Sequence, residues 1–338
     1  MALRLQKSLD VLLTQVSLYG FAAEVLLIDW NPPDDRPRLR EILKFPARHD
    51  CVSVRIIEVE PSFHQCYRFA VLRPVHTPAA FNVGIRRARG AYVLPRVADV
   101  FYSDSLVRFL GQQSLSPDKV YRCDRCDVDP EVLDLPIGDL PTFLQACDEH
   151  VQIRHHRLEV PDNLFIKDLH TNASGDFLLM AGEKWMEVRG MVETSDTAFL
   201  DADSLTLHLA HACGASEVQL PEECCLYKIS HGAKTVDRVT VEWLKYGRWI
   251  EKGLHHMGLG RSEILNWFRM TLNYPKRRVR GFDGISFDSF ERNFLREARR
   301  LAAGKVPRCM NGEDWGLGRE KLPENLVTRA SWDLVEGR

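Results

Sequence analysis

The chain has 338 residues, 45% of them hydrophobic and 27% charged, and a formal net charge of −2. That balance suits a packed globular protein of one large α/β domain or two modest ones, and it excludes nucleic acid as an expected partner. No stretch approaches the ~20 apolar residues of a membrane span, and the 9 cysteines, without regular spacing, argue against a secreted disulfide framework.

The opening MALRLQKSLDVLLTQVSLYGF places Leu5, Leu9, Leu12, Leu13 and Val16 at helical spacing, with Asp10 and Gln15 interrupting the apolar face. It predicts an amphipathic, core-facing helix and not a signal peptide. Residues 22–30 form a continuous apolar run ending in AEVLLIDW, which suits a buried parallel strand, and WNPPDDRP breaks it. A short helix is expected in RLREILKF, a strand in VSVRIIEV (52–59), and a helix over AAFNVGIRRARG (79–90) capped by Gly90. AYVLPRVADV (91–100) reads as an apolar strand running into a polar turn, and SDSLVRFLGQQ as a helix N-capped by Ser103. This alternation marks a doubly wound sheet, which binds ligands at the carboxyl ends of its strands, where Asp29 and Asp99 lie.

Residues 129–168 are irregular and rich in Pro, Asp and His. A strand and an amphipathic helix follow over 175–191, a helix ending near Gly214 and a short strand over 206–220, and a strand over 224–232. Beyond 233 the pattern is of long helices carrying Trp243, Trp249 and Trp267, interrupted by PKRRVRG (275–281), whose charges suit a solvated loop or a phosphorylated acceptor. Cys123 and Cys126 form a CxxC, and Cys224 and Cys225 are adjacent. A structural zinc site commonly needs two pairs of ligand spacing, so buried or half-buried free thiols are the expectation. The strict charge alternation of YRCDRCDV, with Arg122, Asp124, Arg125 and Asp127, predicts an ion-pair ladder across a strand.

NVGIRRARGAYVL, followed by a strand end carrying Asp99, resembles the family 2 glycosyltransferases of GT-A fold. There an Asn-containing helix, Ala-x-Gly and an apolar strand lead into the DxD motif. A bacterial and fungal subgroup is similar in more detail, through EVLLIDWNPPDDRP, NVGIRRARG, VYRCDRCDV, LHTNASGDFLLM, YKISHG and NGEDWGL. The likeness covers most of 22–232 and part of the tail. It implies an α/β fold, a GT-A-like doubly wound mixed sheet over 1–232, with a helical C-terminal region over 233–338. The implied activity is transfer of a sugar from a nucleotide sugar, UDP- or GDP-linked, to a saccharide or glycolipid acceptor, assisted by a divalent metal, Mn2+ or Mg2+. Two departures stand out. The chain opens on the helix that in the family follows a first strand and a Thr-x-Arg-Asn-Asp-like turn, and of the DxD acids only Asp99 is kept. Both lie on the donor side and support an alternative, a non-catalytic GT-A-fold protein that binds sugar or a partner. A nucleotidyltransferase would need a Gly-rich phosphate loop, and none is visible. The expected location is cytoplasmic, or a secretory compartment should an anchor precede Met1.

The resemblance assigns candidate roles, each with a plainer reading beside it. Asp99 and His231 would hold the metal; otherwise one is a turn acid before a helix and the other a turn residue before glycine. Asp29, Asn82 and Arg96 would complete the donor side, Arg96 by adding positive charge against the diphosphate; capping, turn and solvent-facing roles are the alternatives. Asp203, with Asp201 in reserve, would remove the acceptor hydroxyl's proton if the enzyme inverts, or would simply favour a helix N-terminus. Asn172, Gly175 and Asp176 would form a sugar-binding loop, or a simple turn. Trp185 would stack on an acceptor sugar, or lie in the core with Val188.

Overall fold

The computed structural model describes residues 2–45, 51–67, 74–112, 114–157, 166–193, 202–230, 296–305 and 309–326. Residues 1–157, 170–230 and 308–338 form one compact unit, and 158–169 with 231–307 form a second. In the second, residues 296–302 are helical, and Ala298 and Leu301 are buried. Most of the expected helical C-terminal region lies outside the described residues. The tail over 309–326 belongs to the first unit and adds a strand to it.

The first unit is α/β, with three small mixed sheets. In the first sheet β1 (Ala23–Trp30) runs parallel to β2 (Val52–Val59), and β11 (Glu324–Leu326) pairs antiparallel on the far side of β2. These two long strands are the apolar runs of the sequence, buried by α1 (Ala2–Tyr19) through Leu9 and Leu13 and by α4 (Thr77–Arg87) through Ala79, Ala80 and Val83. The second sheet has the order β3 (Tyr92–Val93), β8 (Leu179–Ala181), β5 (Lys119–Arg122) and β9 (Ser216–Gln219). The third has the order β4 (Val100–Tyr102), β10 (Leu226–Ile229), β6 (Arg125–Val128) and β7 (Val151–His155).

The single strand expected over 91–100 is therefore two strands in different sheets. Pro95 cannot donate to a ladder, and the chain leaves β3 there to re-enter as β4 after Asp99. YRCDRCDV divides in the same way: Arg122 ends β5, Arg125 begins β6, and Cys123–Asp124 carry the chain from one sheet to the next. Arg122 O still accepts from Leu220 N at 2.8 Å and Asp124 O from Leu226 N at 3.1 Å, so the backbone stays paired across the switch. α4 stops at Arg87, before the expected cap at Gly90, because Ala88 is already extended and Arg89 N donates to Glu24 Oε2 at 2.9 Å.

α1 buries polar side chains that an amphipathic pattern alone does not explain. Ser8 Oγ donates to Val100 O at 2.7 Å and Gln15 Nε2 to Tyr102 O at 2.9 Å. β4 is the edge of its sheet, and these side chains satisfy carbonyls that no neighbouring strand reaches. Lys7 Nζ donates to Val132 O at 3.2 Å, Leu133 O at 2.7 Å and Leu135 O, closing the C-terminal end of the 3-10 turn at Pro130–Leu133. Ser103 caps α5 (Asp104–Gly111) as expected, its Oγ accepting from Leu106 N at 3.2 Å.

All 9 cysteines are free thiols. Cys123 and Cys126, with Cys224 and Cys225, are buried, and the two ends of the CxxC lie in different apolar clusters. No helix among the described residues is long and apolar enough to cross a membrane.

Candidate functional site

The loop over 169–176 is organised from beneath by Arg122, whose side chain is fully buried. Its Nε donates to His170 O at 2.9 Å, Nη2 to Asn172 O at 3.0 Å and Nη1 to Ser174 O at 3.5 Å. Ala173 takes a left-handed turn at φ 56°, and a 3-10 turn over Ser174–Asp176 leads into β8. α8 (Ala202–Ala212) closes the loop from the other side: Ser174 Oγ donates to Asp203 Oδ2 at 2.8 Å. The close approach that Gly175 permits is made by Asp203, because a Cβ on Gly175 would lie 2.9 Å from Asp203 Oδ2. Asn172 Nδ2 donates to His156 O at 2.9 Å.

Asp176 bridges two cations, Arg125 Nη1 at 2.6 Å and Lys228 Nζ at 2.7 Å. Arg125 also reaches Asp127 Oδ1 at 2.8 Å, and Asp127 Oδ2 meets His155 Nε2 at 2.8 Å. Burial would raise the Asp127 carboxyl, but His155 and Arg125 outweigh it and hold it below its ordinary value. Asp124 accepts from Arg154, His156 and His170, at 3.0, 2.8 and 3.2 Å, and those bonds overcome burial to lower its pKa too. The ladder expected from the charge alternation forms in part: Asp124, Arg125 and Asp127 make ion pairs, with partners from β7 and the 170–176 loop as well as within β6, whereas Arg122 turns its guanidinium to loop carbonyls.

His170 is fully buried, and burial with the nearby Arg122 charge lowers its pKa to about 4. Its contact with Asp124 is thus a hydrogen bond from a neutral imidazole. The carboxylate assigns the proton to Nε2 and leaves Nδ1 a buried acceptor with no partner among the described residues. His208, on α8, is likewise lowered to about 4, by burial and then by His211. Unfolding lets both rings return to about 6.5 and take up protons, so stability should be level above pH 7 and fall as pH drops from about 6.5 towards 4. The loss is up to about 3 kcal/mol for each ring. Urea midpoints across that range test this: His170→Gln and His208→Gln should each flatten the slope, and a midpoint unchanged between pH 7 and 4.5 would refute it. The carboxylates Asp124 and Asp127 act in a separate window, below about 4, where their protonation costs the ion pairs.

Asp99 is buried at the turn between β3 and β4, 3.7 Å from Arg4 Nη1. Its carbonyl accepts from Ile229 N at 3.0 Å, and Lys228 pairs with Val100 in register. The strand that leads to His231 therefore runs alongside the Asp99 turn, although the two are far apart in sequence. Asp201 and His231 themselves lie outside the described residues. Arg96 turns inward: Nη2 donates to Val100 O at 2.6 Å and to Ser8 Oγ, and its guanidinium sits 4.8 Å above the Tyr102 ring.

Three further candidates have their side chains committed to the fold. Asp29 Oδ2 accepts from Leu39 N at 3.0 Å and so caps the short helix α2 (Leu39–Ile42). Trp185, on α7 (Gly182–Val188), is fully buried and its Nε1 donates to Val93 O at 3.0 Å, so it offers no face to an acceptor sugar. Burying that ring contributes on the order of 3 kcal/mol to the fold. Asn82 is fully buried and holds a clamp: Nδ2 donates to Met191 O and Glu193 Oε1, both at 2.7 Å, and Oδ1 accepts from Met191 N at 2.7 Å.

The tail completes this clamp, which the residue pattern alone did not single out. Asn311 Nδ2 donates to Arg189 O and Met191 O, Asn311 Oδ1 accepts from Glu193 N, and Gly316 N donates to Glu193 Oε1. Arg86 stacks on Trp315 at 5.1 Å, and Arg87 donates to Gly316 O and Leu317 O. The two motifs NVGIRRARG and NGEDWGL are thus in direct contact. Burial raises the Glu193 carboxyl against the bonds from Asn82 and Gly316 N. No protein-family model and no curated protein matches the chain.

Proposed function

We propose that the protein is a GT-A-like glycosyltransferase that moves a sugar from a UDP- or GDP-linked donor to a saccharide or glycolipid acceptor. The observation that supports this reading is the hydrogen bond from Ile229 N to Asp99 O, which sets the end of β10 beside the one retained acid of the DxD position. Arg4 lies beside that turn, its Nη1 3.7 Å from Asp99 Oδ2, and would add positive charge against a diphosphate arriving there. Magnesium-type sites commonly use one or two carboxylates together with the substrate's own phosphates; Asp99 supplies one, and no group of three or more His, Cys, Asp or Glu able to hold an ion occurs among the described residues. Asp99, with His231, would hold Mn2+ or Mg2+, whose charge would stabilise the leaving diphosphate. Asp203, beside the 170–176 loop, is the proposed base, with Asp201 in reserve.

One observation favours the alternative of a non-catalytic protein that binds sugar or a partner. Asp29, Asn82 and Arg96, all proposed on the donor side, already have their polar groups engaged within the fold. Calorimetric titration with UDP and GDP, with and without Mn2+, separates the readings. The transferase reading expects metal-dependent binding that weakens about tenfold or more in Asp99→Ala and in His231→Ala. Absence of binding by a folded sample to either nucleotide would sink it in favour of the alternative.

A further inference from the structure

The clamp residue Asn311 is followed by Gly312, and no other Asn-Gly pair occurs in the chain. A glycine leaves the backbone nitrogen after an asparagine sterically open, and that nitrogen can attack the side-chain amide carbon. The step forms a bond from Gly312 N to Asn311 Cγ and breaks the Cγ–Nδ2 bond. The nitrogen's proton departs with the leaving amine as ammonia. Water then opens the five-membered imide to aspartate or to isoaspartate, and no oxidant or metal is needed.

The structure contains both the reactive pair and the restraint on it. Gly312 is exposed, and a Cβ there would meet nothing within 4 Å, so solvent and room are available on its side. Asn311 is 8% exposed, and its amide is held at both ends. Nδ2 donates to Arg189 O at 2.7 Å and to Met191 O at 2.6 Å, while Oδ1 accepts from Glu193 N at 2.8 Å. An amide fixed by three bonds to another segment cannot turn to present its carbon to the Gly312 nitrogen. Lifting the 311–317 segment from α4 and the 189–193 segment removes all three restraints together.

We propose that Asn311 is a spontaneous modification site gated by the clamp, silent while the tail is seated and converted to aspartate or isoaspartate once it lifts. Conversion prevents reseating. The two donated bonds become contacts between a carboxylate oxygen and the carbonyls of Arg189 and Met191. The new charge also falls among Glu193 and Asp314. Isoaspartate additionally inserts a carbon into the backbone. The inference does not depend on the proposed transferase activity.

The test follows the mass gain of the Asn311 peptide during incubation of the full chain in mildly alkaline buffer, native, in urea, and as Gly316→Ala. The native protein should convert at least about tenfold more slowly than the unfolded chain, because reaction waits on local opening. Gly316→Ala should approach the unfolded rate. Native conversion at the unfolded rate, or Gly316→Ala conversion at the native rate, would overturn the proposal. An independent arm uses Asn311→Asp: exchange of the Glu193 and Gly316 amides should quicken by about tenfold or more. Unchanged exchange there would overturn the claim that conversion opens the clamp.

Discussion

Replacing Arg122 by methionine is expected to cost about 3 kcal/mol of stability and to loosen residues 170–176. Methionine keeps most of the buried volume, so the loss isolates the three donated bonds to His170 O, Asn172 O and Ser174 O. Each carbonyl left unpaired in the interior costs about 1–3 kcal/mol, while relief from burying a guanidinium returns part of that. The balance tips towards loss because Asp203, Glu217 and Asp176 all lie close enough to feel the Arg122 charge, and without it they repel one another. Arg122→Ala should cost about 1–2 kcal/mol more through the cavity it leaves. Urea unfolding gives the totals, and hydrogen exchange over 170–176 locates them. A Met variant within about 0.5 kcal/mol of the parent would show that the carbonyls find other partners.

Gly316→Ala is expected to unseat the tail altogether. Gly316 has φ 61°, and a Cβ there would lie 2.5 Å from Asn82 O and 2.8 Å from Asn82 C. Those are backbone atoms of a buried helix, so neither neighbour can step aside. Gly20 supplies the internal comparison: it has φ 64° with nothing within 4 Å of the added carbon. Gly20→Ala should therefore show only the cost of a left-handed alanine, about 1 kcal/mol. Gly316→Ala adds the collision and loses the bond from Gly316 N to Glu193, for a total above about 3 kcal/mol. Rapid proteolytic cutting within 311–320, absent from Gly20→Ala, is the expected sign. Equal effects of the two substitutions would mean that α4 yields to the tail.

How much was legible in the residues depended on whether the cause was local. VSVRIIEV coincides with β2, and AEVLLIDW with β1, because a long apolar run with turn residues at its ends can be buried in few ways. The Ser103 cap was legible for the same reason. AYVLPRVADV misleads because apolarity does not report pairing: its two halves lie in different sheets, the first half-buried in β3 and the second entering the buried β4. At the candidate site, the charge alternation of YRCDRCDV pointed to ion pairs but could not name Arg154, His155 or Asp176 as partners. Trp185 carries the helical spacing of a core residue, and burial decides for the core. The clamp was least legible, since Asn82 and Asn311 stand at opposite ends of the chain and neither has a neighbour that announces the other. Asp29 and Arg96 look available in the sequence because nothing there shows that Leu39 N and Val100 O need them.

The order in which the ribosome releases these parts matters for β2. Arg55 on that strand ends with its guanidinium on Glu24 and on Glu324, the latter 269 residues further along. At ordinary rates of synthesis the second partner is on the order of tens of seconds away. Throughout that interval one edge of β2 waits without β11, with Val54, Ile56 and Ile57 beside it. A nascent chain in this condition carries an open, apolar strand edge suited to pairing with a neighbour on the same message. Yield in a heterologous host should therefore respond to slower initiation or to added holdase chaperone. A fragment ending before the tail should aggregate even though it retains β1, β2 and every candidate residue from Asp29 to His231.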